Sequence, residues 1–183
     1  MTFNSITTWG WPAILLHWVG AILILLLLGH GWWMVHFAPR ADRAAHYAGH
    51  AALGYDFLAL LVLRLLWRWL NPVPALPDDL KSWERYAAKA GHIGLYILMF
   101  AAALSGWALA GTGRRTFQQD VFGLTVPLIY TSKDAAMHEL LENTHTIFSY
   151  LLAALVLVHL AGALRHHFVK RNPVVRRMIG LKA

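Results

Sequence analysis

Cysteine is absent from the 183 residues. That excludes disulfides, thiolate-held iron–sulfur clusters and the C-x-x-C-H attachment that fixes some haems covalently. Charge is scarce as well. Lys, Arg, Asp and Glu make up 14% of the chain, against 58% hydrophobic residues and nine tryptophans. A soluble domain of this length does not need so much apolar surface. The uncharged residues are gathered in long stretches: 1–39, 90–113 and 143–164 contain no Lys, Arg, Asp or Glu, and 44–63 is interrupted by Asp56 alone. Each of these four segments reaches the roughly 20 residues that a hydrocarbon core requires. In lipid each must be a helix, because only a helix satisfies its own backbone there. The expectation is an all-α integral membrane four-helix bundle, a single domain over 1–183, with helices at about 13–35, 46–70, 90–110 and 143–166. The first segment reads as a retained helix, since no basic run precedes it and no small-x-small cleavage site follows.

The net charge of +7 is distributed unevenly. Four spans put both termini on one side of the membrane. On that side Arg64, Arg68, Lys81, Arg85, Lys89, Arg165, Lys170, Arg171, Arg176, Arg177 and Lys182 face only Asp78, Asp79 and Glu84, a net charge of +8. On the other side Arg40, Arg43, Arg114, Arg115 and Lys133 are balanced by Asp42, Asp120, Asp134, Glu139 and Glu142. The positive-inside rule places both termini in the cytoplasm. The basic excess is therefore membrane topology, with lipid as the surroundings and no nucleic-acid partner. Trp11, Trp18, Trp32 and Trp33 sit near the ends of the first helix as interfacial anchors. The linker N-P-V-P-A-L-P ends the second helix. The external loop 111–142 is the only connection long enough to form a lid or docking surface.

The fourth helix carries His145 and His159, fourteen positions apart. At 100° and about 1.5 Å per residue they share nearly one face, ~21 Å apart along the axis. In a hydrocarbon core ~30 Å thick they lie near opposite leaflets. Histidine inside a membrane is uncommon and usually functional. Two stacked in this way point to a two-centre metal or haem protein that moves electrons across the bilayer. Depth sorts the eleven histidines. His17, His92 and His159 fall in the cytoplasmic half, and His50 and His145 in the outer half with His46 one turn further out. His30, His36 and His138 fall at or beyond the outer interface, and His166 and His167 in the tail. Two imidazoles at one depth on facing helices are what a bis-histidine haem needs. The outer pair is His50 with His145, and the inner pair is His159 with either His17 or His92. Gly54, Gly20 and Gly106 supply missing side-chain volume for a porphyrin edge, although glycine also serves ordinary membrane helix packing. Zinc or copper transport is the competing reading; the acidic or thiolate partners it favours are nearly absent.

These residues carry a resemblance. The chain resembles the bacterial cytochrome b561 family, small four-helix di-haem proteins of the inner membrane, and within it the branch that oxidises superoxide and reduces ubiquinone. The similarity runs through His17-Trp18, Pro39-Arg40-Ala41-Asp42-Arg43, His50 followed by Gly54, and Arg64 and Arg68 before the proline-rich linker. It continues through Gly91-His92, Phe122-Gly123-Leu124-Thr125-Val126-Pro127, the His145/His159 spacing and His166-His167. The resemblance implies two haem b groups, His17 with His159 on the inner iron and His50 with His145 on the outer. It leaves His92 beside the inner ligands or on the quinone side. It also implies superoxide, or another periplasmic donor, as the source of electrons and ubiquinone as the acceptor. Arg40, Arg43, Arg114 and Arg115 then steer the anion, or hold haem propionates or lipid headgroups. Arg64 and Arg68 hold the inner propionates or snorkel to the interface. The alternative within the same chemistry is a haem b anchor subunit for a soluble oxidoreductase. Asp56 departs from the family pattern. It reads as a protonated packing residue or as a buried carboxylate taking part in proton movement.

Overall fold

A computed structural model describes residues 1–77, 79–113, 116–121 and 123–181. Its frame is four long helices: α1 Trp11–His36, α2 Arg43–Leu70, α3 Ser82–Leu109 and α4 Ala135–Leu164. All four are long and apolar enough to cross a membrane. Pro12 in the first turn of α1 suits a position whose N–H has no intrahelical partner. At the end of α2, Asn71 turns extended ahead of Pro72 and its side chain donates to the Trp67 carbonyl at 3.0 Å.

Two helices begin earlier than the uncharged stretches predict. The third starts at Ser82 rather than near 90, and the fourth at Ala135 rather than near 143. The physical reason is capping. Glu84 accepts from the Lys81 backbone N–H at 3.0 Å, and Asp134 accepts from the Ala136 N–H at 2.9 Å. Charge-free windows find the hydrocarbon portion of a helix and miss the polar turns that cap it. The external connection is accordingly shorter than 111–142, and Glu139 and Glu142 belong to α4. It holds a small antiparallel ribbon, β1 Asp120–Val121 with β2 Leu124–Thr125, and a bridge from Thr112 to Ser132.

Consecutive helices pack against one another, α1 on α2, α2 on α3 and α3 on α4. Their shared core is Ile24, Leu27, Phe57, Leu61, Leu95, Met99, Ala102 and Leu152, and Leu152 has no exposed surface at all. Outward-facing leucines and isoleucines such as Ile22, Leu25, Leu63, Ile97 and Leu157 are exposed, as lipid-facing residues are.

Both termini lie at one end of the bundle. Asn4 donates to the Pro72 carbonyl at 3.0 Å, and Phe3 stacks on Trp67. After α4 a π-helical turn, Arg165–Val169, leads to the short α5, Val174–Met178. The Met178 carbonyl accepts from the Trp18 indole at 2.8 Å, while Arg177 donates to Ala75 at 3.0 Å. Glu84, almost fully buried, ties the start of α3 to the end of α4 through Arg165 at 2.8 Å and Lys170 at 3.6 Å. This end is called the terminal end below, and the opposite one the loop end.

Candidate functional site

The face of α4 that turns inward carries His138, His145, Leu152 and His159 at intervals of seven residues. Seven residues are nearly two turns, so the four side chains form a row with about 10 Å between successive members. Three of the four are histidines, each meeting a different partner.

At the loop end, the rings of His50 and His145 approach edge-on, with centroids 6.2 Å apart and planes at 81°. A metal–imidazole bond is about 2 Å long. With about 1 Å more from each nitrogen to its ring centre, two imidazoles on opposite sides of one metal have centroids about 6 Å apart. The observed separation matches. His145 is also held in a defined tautomer: its Nδ1–H donates to the Ala102 carbonyl at 2.9 Å, with Ser105 Oγ at 3.2 Å. That leaves the Nε2 lone pair free, the arrangement typical of a metal-ligating histidine. His50 Nδ1 is buried without a hydrogen-bond partner. Both imidazoles line a cavity of about 660 Å³ between the four helices, walled by apolar residues including Leu27, Phe57 and Met99. Gly54 borders it, and a Cβ there would meet nothing within 4 Å. The Tyr55 hydroxyl, at the same wall, is a second buried polar atom without a partner. An apolar cleft with two opposed imidazoles and orphaned polar atoms at its edge fits a planar metal macrocycle.

Gly106 serves a role that the sequence did not disclose. Rather than merely clearing a macrocycle edge, it lies under the His145 ring, where a Cβ would stand 3.0 Å from Cε1. Gly31, which the sequence reading passed over, does the same for His50 at 3.1 Å. His30 is likewise deeper than expected. Its ring lies 5.9 Å from that of His50 and 5.5 Å from that of His46. At the cavity mouth His138 is fixed by Thr112. The Thr112 hydroxyl donates to the Leu109 carbonyl at 2.8 Å and so accepts from His138 Nδ1–H, also at 2.8 Å. The seven-residue spacing was the available signal for this third histidine.

At the terminal end, His17 and His159 have ring centroids 6.4 Å apart, and His92 and His159 5.5 Å. The two distances lie about equally far on either side of the ~6 Å expected across a metal, so ring separation alone does not choose between His17 and His92. His17 and His159 are half-buried, whereas His92 is exposed. Arg64 reaches inward and donates to His17 Nδ1 at 2.8 Å. Its guanidinium and that of Arg68 lie over the Tyr96 ring, at 5.6 and 5.8 Å from the centroid. Both arginines thus turn into the bundle instead of snorkelling away from it. Gly20 stands at ordinary contact distance from Leu60 and Arg64. A macrocycle between His17 and His159 requires the Arg64 guanidinium to move aside from His17 Nδ1.

Among the described residues, Arg40, Arg43 and Asp56 do not line the cavity. Arg40 is exposed, and Arg43 donates to the Ala38 carbonyl at 3.2 Å within its own turn. Arg114, Arg115 and Phe122 lie outside the described residues. Asp56 is exposed on the outer face of α2, between buried Tyr55 and Phe57, so the expectation of a buried carboxylate is not met. Among the described residues no three metal-binding side chains converge as a closed zinc or copper site requires.

The architecture is thus that of a membrane four-helix bundle whose histidines meet in facing pairs at two depths. Residues 8–181 match the family model for prokaryotic cytochrome b561, and the chain belongs to that family, whose members are haem b electron-transfer proteins of the bacterial inner membrane. It is 31% identical to cytochrome b561 homolog 2 of Escherichia coli (strain K12), over 97% of this chain and 94% of that one. It is 25% identical to a probable superoxide oxidase CybB of Yersinia pestis, over 91% and 93% of the two chains. It is also 23% identical to a probable Ni/Fe-hydrogenase B-type cytochrome subunit of Cupriavidus necator, over 92% of this chain and 82% of that one.

Proposed function

We propose that the chain holds two haem b groups, with His50 and His145 on the loop-end iron and His17 and His159 on the terminal-end iron. It takes electrons from superoxide at the loop end and delivers them to ubiquinone at the terminal end, with both termini in the cytoplasm. The observation that carries this reading is the loop-end pair, two imidazoles with centroids 6.2 Å apart bordering an apolar cleft. The relative named as a probable superoxide oxidase supports the donor. The charge asymmetry between the two ends supports the orientation.

Haem b, when bound, supplies a one-electron couple at each level. With two histidines holding each iron, no position would be left open, so the group would carry electrons and not activate oxygen. The overall reaction is two superoxide anions, one ubiquinone and two protons giving two molecules of O₂ and one ubiquinol. His145 and His159 place the two levels ~21 Å apart along α4, so a single helix spans donor and acceptor sides. At the loop end the exposed Arg40 attracts the anion. Arg43, Arg114 and Arg115 add to this steering or hold propionates. At the terminal end Arg64 and Arg68 offer cationic donors to propionate or quinone oxygens. His92 is open at the bundle surface and stands beside His159, which suits proton delivery to a quinone arriving from the lipid.

The test is rapid mixing of the purified, oxidised protein with superoxide while the b-type α-band is followed. Reduction of the haem by superoxide, followed by reoxidation on adding a ubiquinone analogue, is the expected result. A protein that dithionite reduces but superoxide does not would overturn the superoxide assignment. The likeness to the hydrogenase cytochrome subunit favours a second reading, in which a soluble oxidoreductase docks on the external ribbon and supplies the electrons. In that case the haem is reduced only when such a partner is added.

A further inference from the structure

The loop-end imidazoles are seated by one device used twice. His145 projects from α4 onto α3, where its edge lies over Gly106: a Cβ there would stand 3.0 Å from Cε1 and 3.2 Å from Nδ1. The carbonyl that receives the Nδ1–H belongs to Ala102, four residues before that glycine. In an α-helix the carbonyl of residue i−4 lies directly beneath residue i and accepts its N–H; the Ala102 carbonyl takes two further donors, the Ser105 hydroxyl at 3.0 Å and the His145 Nδ1–H at 2.9 Å. A Cβ at residue i crowds that approach, since at Gly106 it would stand 3.0 Å from His145 Cε1. His50 projects from α2 onto α1 in the same way. Its edge lies over Gly31, with Cε1 at 3.1 Å and Nδ1 at 3.7 Å from where a Cβ would be. The residue four before Gly31 is Leu27, which is buried and lines the same cavity. His50 Nδ1 is 0.5 Å farther out than its counterpart (3.7 against 3.2 Å) and has no partner. A buried donor of this kind calls for an acceptor.

We infer that Gly31 and Gly106 are positioning residues for the two loop-end imidazoles, and that His50 Nδ1–H donates to the Leu27 carbonyl as His145 Nδ1–H donates to that of Ala102. Each glycine fixes its histidine's tautomer and ring plane by exposing a main-chain acceptor. This is a role distinct from making room for a macrocycle. The inference rests on the ligand assignment proposed above.

Gly29, on the same helix as Gly31, provides the control, because a Cβ there meets nothing within 4 Å. The experiment compares Gly31→Ala, Gly106→Ala and Gly29→Ala for haem content after titration and for the low-spin electron paramagnetic resonance signal. Loss of an orienting partner of a metal-bound histidine typically costs 10–100-fold in affinity. Gly31→Ala and Gly106→Ala are therefore expected to weaken loop-end haem binding at least about tenfold and to shift its g-values, with the terminal-end signal intact. Gly29→Ala is expected to match the parent. If all three bind haem as the parent does, with unchanged g-values, the inference is overturned. Should the two variants fail to fold, pulsed resonance on the unsubstituted protein in D₂O still decides. Two loop-end Nδ1 protons that resist exchange support it, and a freely exchanging His50 proton overturns the Leu27 half. Failure of the ligand assignment itself reads differently: His50→Leu and His145→Leu would then keep the loop-end signal.

Discussion

Replacing His145 with leucine is the sharpest single perturbation of the proposed ligand scheme. The variant loses one of two opposed imidazoles whose centroids are 6.2 Å apart, and the Ala102 carbonyl loses its donor. The other histidine of α4 lies fourteen residues away, ~21 Å along the axis. Effects at sites more than about 7–10 Å apart with no shared partners are usually additive. The expected result is therefore a fall from about two haems per chain to about one, with the surviving spectrum equal to that of the terminal-end haem. His50→Leu should give the same product, and the double variant no further loss. His159→Leu should remove the complementary half of the spectrum.

The same assay separates His17 from His92. His17→Leu should eliminate the terminal-end haem, because His17 is half-buried against His159 whereas His92 is exposed at the bundle surface. His92→Leu should retain that haem and slow its reoxidation by quinone. Haem content comes from the pyridine haemochrome assay per mole of protein, and the two signals are resolved by reduced-minus-oxidised spectra at low temperature. If His145→Leu keeps two haems, or loses both while still folded, the pairing is wrong. Retention of both haems in His17→Leu with loss of one in His92→Leu would transfer the inner ligand to His92.

Two further outcomes follow from the packing. Leu152→Ala removes the side chain that lies fully buried between the two histidine levels. Large-to-small core changes cost 2–5 kcal/mol in soluble proteins, and lipid is as apolar as leucine, so about 2 kcal/mol of packing is the expected loss; a melting temperature unchanged in detergent would refute the central position of Leu152. Arg64→Met withdraws a positive charge that lies over Tyr96 inside the bundle, beside the terminal-end histidines even once its guanidinium leaves His17 Nδ1. A cation stabilises the reduced, more negative form of a nearby redox group, so the terminal-end potential should fall by on the order of tens of mV in a spectroelectrochemical titration; a rise would contradict the inward placement of Arg64.

The order in which the chain discloses its structure follows from what hydrocarbon demands. A stretch of twenty uncharged residues has one structural solution in lipid, so the four spans were readable from composition alone. The pairing of His50 with His145 was readable because both lie at one depth on helices that must be close. Three things were not. Where α3 and α4 begin depends on caps at Lys81 and Asp134, which lie among charged residues that a hydropathy window discards. Gly31 carries no chemistry of its own, and only the approach of His50 to 3.1 Å from its missing Cβ gives it a role. The preference for His17 over His92 turns on which ring is exposed, a quantity set by the rotation of α1 and α3 about their axes. Periodicity gives the face of a helix to within tens of degrees. At the radius of an imidazole that uncertainty exceeds the distance separating a ligand from its neighbour. Depth along the membrane normal is therefore the coordinate that sequence fixes well, and rotation about the helix axis is the one that the fold must supply.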